Sequence, residues 1–181
     1  MLPASSLTLR HRQKGFNLLE LLVVLALVGI IFGIAMPAGQ GMLDRSRLTA
    51  ATNEAYSALL YTRNEASRLR QEHRLCFIAS ATATSCGTTP ASFMGVFSVP
   101  TTGTPLRVKV FELTPQATFS FSGVSNHQLS FQALGNRQPA ATAGTPVFIE
   151  VQVGAANTRQ VEVCFNGRVV IRQANGTSEC Q

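Results

Sequence analysis

The stretch "KGFNLLELLVVLALVGIIFGIAMP", Lys14 to Pro37, decides how the rest of this 181-residue chain is read. From Phe16 to Met36 every residue but Asn17 and Glu20 is apolar or glycine. As a helix these 21 residues would span about 31 Å at 1.5 Å per residue, the thickness of a bilayer core. Arg10, Arg12 and Lys14 precede the run. A basic flank holds the N-terminus in the cytoplasm and sends the remainder of the chain outward. A cleavable secretory signal has a shorter apolar region, of about 7–15 residues, with small residues after it. Here the small residue, Gly15, comes before the run. An acid within hydrocarbon costs roughly 2.5–3.5 kcal/mol on insertion scales, so Glu20 calls for a partner.

Beyond Gly33, Pro37, Gly39 and Gly41, where a kink is expected, a second pattern begins. Leu48, Ala51, Ala55, Leu59, Thr62, Ala66 and Leu69 recur in steps of three and four, which is one stripe of a helix. Arg45, Glu54, Arg63, Arg68 and Glu72 fall on the opposite, solvated face. From Leu75 the composition changes. Runs such as "LRVKVFEL", "ATFSFSG", "HQLSFQA", "VFIEVQV" and "RQVEVCF" alternate apolar and polar residues between Gly, Pro, Asn and Ser. About seven short strands are expected, an antiparallel β domain. Phe93, Phe97, Val110, Phe119, Phe121, Phe131, Phe148, Val151, Val161 and Val163 are its expected core, with the helical stripe covering one sheet face.

The expected fold class is therefore α+β, a long N-terminal helix on an antiparallel sheet. Its parts are 1–15, a leader; 16–41, an apolar transmembrane helix; 42–74, an amphipathic helix; and 75–181, the β-rich domain.

Catalysis is not expected. His73 and His127 belong to no triad or metal-ligand pattern, and "GTSEC" does not fit a nucleophile elbow. Glu112, Glu150 and Glu162 sit at alternating strand positions that read as solvated. No cofactor or metal is called for. The four cysteines, Cys76, Cys86, Cys164 and Cys180, show no C-x-x-C spacing and all lie beyond the apolar run, which points to two disulfides in an oxidising compartment. Of three possible pairings, the local one, Cys76–Cys86 with Cys164–Cys180, is preferred because it closes two short loops.

Near the C-terminus, Asn166-Gly167 is a type I′ turn signal, and "RVVIR" after it is a short strand. A period of two puts Arg168, Val170 and Arg172 on one face. The arginine pair is expected about 7 Å apart along the strand, near the spacing of successive phosphates on a nucleic-acid strand.

Lys14, Gly15, Phe16 and Glu20, with the apolar run and Pro37 after them, resemble the type IV prepilin N-terminus. The resemblance implies cleavage by prepilin peptidase after Gly15 and methylation of the new amine of Phe16. It also implies that Glu20 pairs with the charged chain end of a neighbouring subunit when apolar helices pack into a filament. Asn17 stands where threonine is common in that family. The body resembles the GspH/FimT minor pilins and pseudopilins through its "LC" pair, "LSFQALG" and a late "GR" strand. That implies a subunit held in the bacterial inner membrane with a periplasmic domain, then assembled with other pilins at or near a pilus tip. A GspH-type pseudopilin of a type II secretion system is the alternative. Some FimT-type members bind DNA through a Gly-Arg-x-Arg element, which makes Gly167, Arg168 and Arg172 the candidate DNA contacts, although Val170 holds the family's second arginine position.

Overall fold

The computed structural model describes residues 17–87, 92–138, 146–155 and 157–180, without the side chains of 34–39 and 125. The leader and Phe16 lie outside the described residues. The chain divides into two compact units, Met1–Gln40 and Gly41–Gln181. Helix α1, Leu18–Leu69, contributes to both, and its assignment runs on through Pro37.

In the second unit α1 supplies Leu48, Ala51, Ala55, Ala58, Leu59 and Ala66 to the main apolar core. Alanine fills four of these positions, and each large side chain fully buried here contributes about 1.5–3 kcal/mol. Thr52 and Thr62 are buried on the same stripe, their hydroxyls donating to Leu48 O at 2.6 Å and Ala58 O at 2.7 Å.

α1 ends at Leu69, with Arg70 in the left-handed region at φ +50°. The expected helix to Arg74 is therefore five residues too long. Gln, Glu and Arg at 71–74 are good helix formers, but Glu72–Ile78 is strand β1, paired in register with Glu72 opposite Val99 and Ile78 opposite Phe93. Tertiary pairing overrides local propensity here.

The strands after β1 are β2 Phe93–Val99, β3 Leu106–Glu112, β4 Ala117–Ser122, β5 Gln128–Phe131, β6 Arg137–Gln138, β7 Phe148–Val153, β8 Asn157–Val163 and β9 Val169–Gln173. They form two antiparallel sheets, ordered β3-β2-β1-β5-β6 and β4-β7-β8-β9. "FMGVFSV" shows no strand alternation in sequence because Gly95 interrupts it and four residues in a row are buried. Of the expected core, Phe97, Phe119, Phe121, Phe131, Val151, Val161 and Val163 are buried, while Phe93, Val110 and Phe148 are only half-buried.

Cys76 is bonded to Cys86, and Cys164 to Cys180. The first bridge folds the loop after β1 over Ile78 and Phe97, a small second core on the outer face of its sheet. The second ties the C-terminal segment to the end of β8. Each such loop closure stabilises by roughly 3 kcal/mol.

Two residues expected on the solvated helix face are instead fasteners. Glu54 accepts hydrogen bonds from the backbone N and the Oγ1 of Thr114, both at 2.8 Å, joining α1 to the segment after β3. Arg63 donates to carbonyls of two distant turns, at Gly135 and Asn166.

Candidate functional site

Asn17 sits just before α1, and its Oδ1 accepts from Leu19 N at 3.4 Å, long for such a bond. Asparagine is among the preferred residues at this N-cap position, so its presence where threonine is common keeps the same start signal. Glu20 lies in the first turn, where the helix dipole favours an acid. It is exposed, and among the described residues no cation pairs with it. From Leu18 to Gly33 it is the one ionisable residue, and apolar side chains point outward all round, from Leu18 at 81 % exposure to Phe32 at 64 %. A helix that is apolar on every side needs lipid or other helices around it. Among the described residues no helix is by itself long and apolar enough to cross a membrane. Phe16 and the side chains of 34–36, which belong to the 21-residue run, lie outside them. Gly15 and Phe16, the expected cleavage and methylation positions, lie outside them too.

At the other end of the chain two turns are built alike. Gly135 N donates to Gln132 O at 2.8 Å, and Gly167 N donates to Cys164 O at 2.9 Å. Both glycines have φ +78°. Cys164 N also donates to Arg168 O at 2.8 Å, and Asn166 is not in the positive-φ region. Asn166-Gly167 is therefore not the expected type I′ turn, which needs both residues at positive φ. It is a turn closed by a glycine bulge.

The two turns press together. A Cβ on Gly167 would lie 1.8 Å from Gly135 O, and one on Gly135 would lie 2.6 Å from Ser67 Oγ of α1. Arg63 spans the junction, Nε donating to Gly135 O at 3.2 Å and Nη2 to Asn166 O at 3.5 Å. The "LG" and "GR" motifs thus meet in space over the end of α1.

The arginines of "RVVIR" are not a free pair. Four residues of strand separate them by about 13 Å at 3.3 Å per residue, twice the expected distance. Arg172 is only 10 % exposed in its side chain, with Nε 3.6 Å from Glu162 Oε2, Nη1 donating to Gly176 O at 2.8 Å, and its guanidinium 5.3 Å over the Phe148 ring. Arg168 is exposed, facing Glu179 at 3.4 Å.

Glu162, expected to be solvated, is fully buried. It accepts from Ser178 Oγ at 2.5 Å and from Glu179 N at 3.3 Å, so the disulfide-tied C-terminal segment covers it. Burial pushes the nearby Arg137 guanidinium down in pKa, against the opposing charge of Glu162. Strand alternation could not reveal this, because the outer face of β8 is covered by residues with no strand pattern of their own. Glu150 is half-buried and accepts from Gln160 Nε2 at 2.9 Å. His73 is buried with Nδ1 3.0 Å from Gln71 O, and among the described residues no cluster could hold a metal ion.

Residues 10–36 match the prokaryotic N-terminal methylation motif. The chain thus carries this methylation motif together with a pilin-like fold. Its likeness to known pilins covers only part of each chain. It is 47 % identical over 47 residues to the fimbrial protein EcpC of Eikenella corrodens, covering 26 % of this chain and 31 % of that one. To the type IV major fimbrial protein FimA of Dichelobacter nodosus it is 28 % identical over 94 residues, 51 % of this chain and 52 % of the other. The matches therefore span about a third to a half of those pilins. In fold it is similar to the type IV minor pilin FimU of Pseudomonas aeruginosa, with TM-score 0.54, 15 % identity, 77 % of this chain covered and 98 % of that one.

Proposed function

We propose that this chain is a minor type IV pilin, a structural subunit rather than an enzyme. Prepilin peptidase removes residues 1–15 and methylates the amine of Phe16. The subunit waits in the inner membrane with its β domain in the periplasm. It then joins other pilins in a filament, at or near the tip, where Glu20 meets a neighbour's methylated amine. The carrying observation is the outward-facing apolar helix whose single acid has no partner among the described residues. The fold likeness to a minor pilin fits the minor role, and the same features fit the alternative, a GspH-type pseudopilin of a type II secretion system.

Intact mass and N-terminal sequencing of the native, membrane-extracted chain test this reading. The expected product begins at Phe16 with one added methyl, and Gly15→Val should abolish both cleavage and recovery in sheared filaments. A native chain that begins at Met1 would overturn the proposal.

Contact with DNA through Gly167, Arg168 and Arg172 is a weaker proposal, resting on Arg168 alone. Gly167 is committed to the turn junction and Arg172 to Glu162. If Arg168 carries such a contact, Arg168→Ala should abolish retardation of duplex DNA at moderate salt. Equal retardation by both proteins would remove it.

A further inference from the structure

The joined turns carry two large apolar side chains that the domain leaves in solvent. Leu134, just before Gly135, is 89 % exposed, and Phe165, at the tip of the neighbouring turn, is 57 % exposed. Neither is needed for its turn, which the glycine and the hydrogen bond to residue i close by themselves. Their mutual placement is nevertheless fixed. The backbones of Gly135 and Gly167 are in contact, Arg137 N donates to Phe165 O at 3.0 Å, and Arg63 bonds a carbonyl of each turn.

We infer that Leu134 and Phe165 are a paired anchor for the globular part of a different filament subunit, one offering an apolar pocket rimmed by carboxylates. The anchor presupposes that the chain is a filament subunit. Three observations choose this occupant. An exposed aromatic and an exposed leucine on turns that cannot move are pre-organised, so docking them orders little chain. The charge at the junction is net positive among the described residues: Arg63 bonds only carbonyls there, and Arg168, exposed directly after Gly167, is balanced by the single acid Glu179 at 3.4 Å. A second copy docking through the same patch would set these arginines against each other, so two-fold self-association is disfavoured. A fluid membrane would accept the two side chains at any spacing, whereas a shaped protein pocket needs the fixed spacing that the glycine junction enforces.

Photo-crosslinking in the organism's own cells tests the anchor with the full chain. Benzoylphenylalanine is placed at Leu134, at Phe165 or, as an exposed control on β3, at Leu106. Irradiation is expected to give, from 134 and 165 alone, an adduct with one and the same second protein that bears a cleaved, methylated N-terminus. Leu134→Asp with Phe165→Asp should lower recovery of the chain in filaments roughly tenfold, the scale of a hot-spot loss, with the melting temperature unchanged. An adduct with a second copy of the chain, with phospholipid, equally from Leu106, or not at all overturns the inference. The N-terminal peptide from the same sample separates the two readings. If it is uncleaved, the filament proposal fails; if it is cleaved and methylated but no adduct forms, only the anchor fails.

Discussion

Replacing Gly167 with alanine should leave little folded protein. The added Cβ would sit 1.8 Å from the carbonyl oxygen of Gly135 and 2.9 Å from its carbon, so two backbones would have to part. A left-handed conformation adds roughly 1–2 kcal/mol for any residue with a Cβ. Parting the turns also withdraws the Gly135 and Asn166 carbonyls from Arg63, each a charge-assisted bond. The sum should exceed about 4 kcal/mol, among the larger effects of a single substitution. Thermal unfolding of the full chain in detergent, beside Arg168→Ala, measures it. Arg168→Ala removes only an exposed ion pair and should cost under about 1 kcal/mol. A Gly167→Ala protein that melts within a degree or two of the parent would mean that the turns are not in contact.

This junction changes what the "GR" motif means here. Gly167 is required for packing, so loss of any activity in a Gly167 variant reports the fold before it reports a binding site. Gly135 occupies the matching position in "LSFQALG" and is hemmed by Ser67 of α1. Two glycines that are 32 residues apart in sequence are thus parts of one contact.

How far each feature is legible in the sequence depends on how local it is. The apolar run, the acid at its start and the stripe from Leu48 to Ala66 are periodic within one element, and these are the features by which helix and core can be read. The split into two sheets is a matter of which strands find each other, and no alternation within "ATFSFSG" or "HQLSFQA" encodes it. The helix end illustrates the same limit, because residues 72–74 are drawn into β1 by Phe97, Ser98 and Val99, more than twenty residues away. Glu54, Arg63 and Glu162 escape a solvated reading for a related reason. A polar residue on the outward face of an element is exposed only if nothing irregular folds over it. Here the segment at Thr114, the paired turns and the C-terminal segment each do so. The tail also closes over Arg172, which is why an arginine spaced for solvent ends up beside a buried acid.

That acid sets the second large expectation. Glu162→Ala should cost about 3–5 kcal/mol, the range for removing one partner of a buried ion pair. The loss would come less from the missing contacts than from what remains: a buried Arg172 guanidinium with no counter-charge, and Ser178 Oγ and Glu179 N with no acceptor. The C-terminal segment would then be held chiefly by Cys164–Cys180 and should become open to protease after Gln173. Removing both charges gives a different outcome. Glu162→Met with Arg172→Met strands no Arg172 guanidinium and keeps apolar volume against Phe148. It still leaves the buried Arg137 without the opposing charge of Glu162, so its loss of stability should be smaller than that of Glu162→Ala without vanishing. Chemical denaturation of the parent, Glu162→Met, Arg172→Met and the double variant closes the cycle, with Glu162→Ala measured beside them. A double variant as unstable as Glu162→Ala would show that Glu162 acts through the tail's hydrogen bonds rather than through Arg172. Additive single effects would show that the two residues are not coupled.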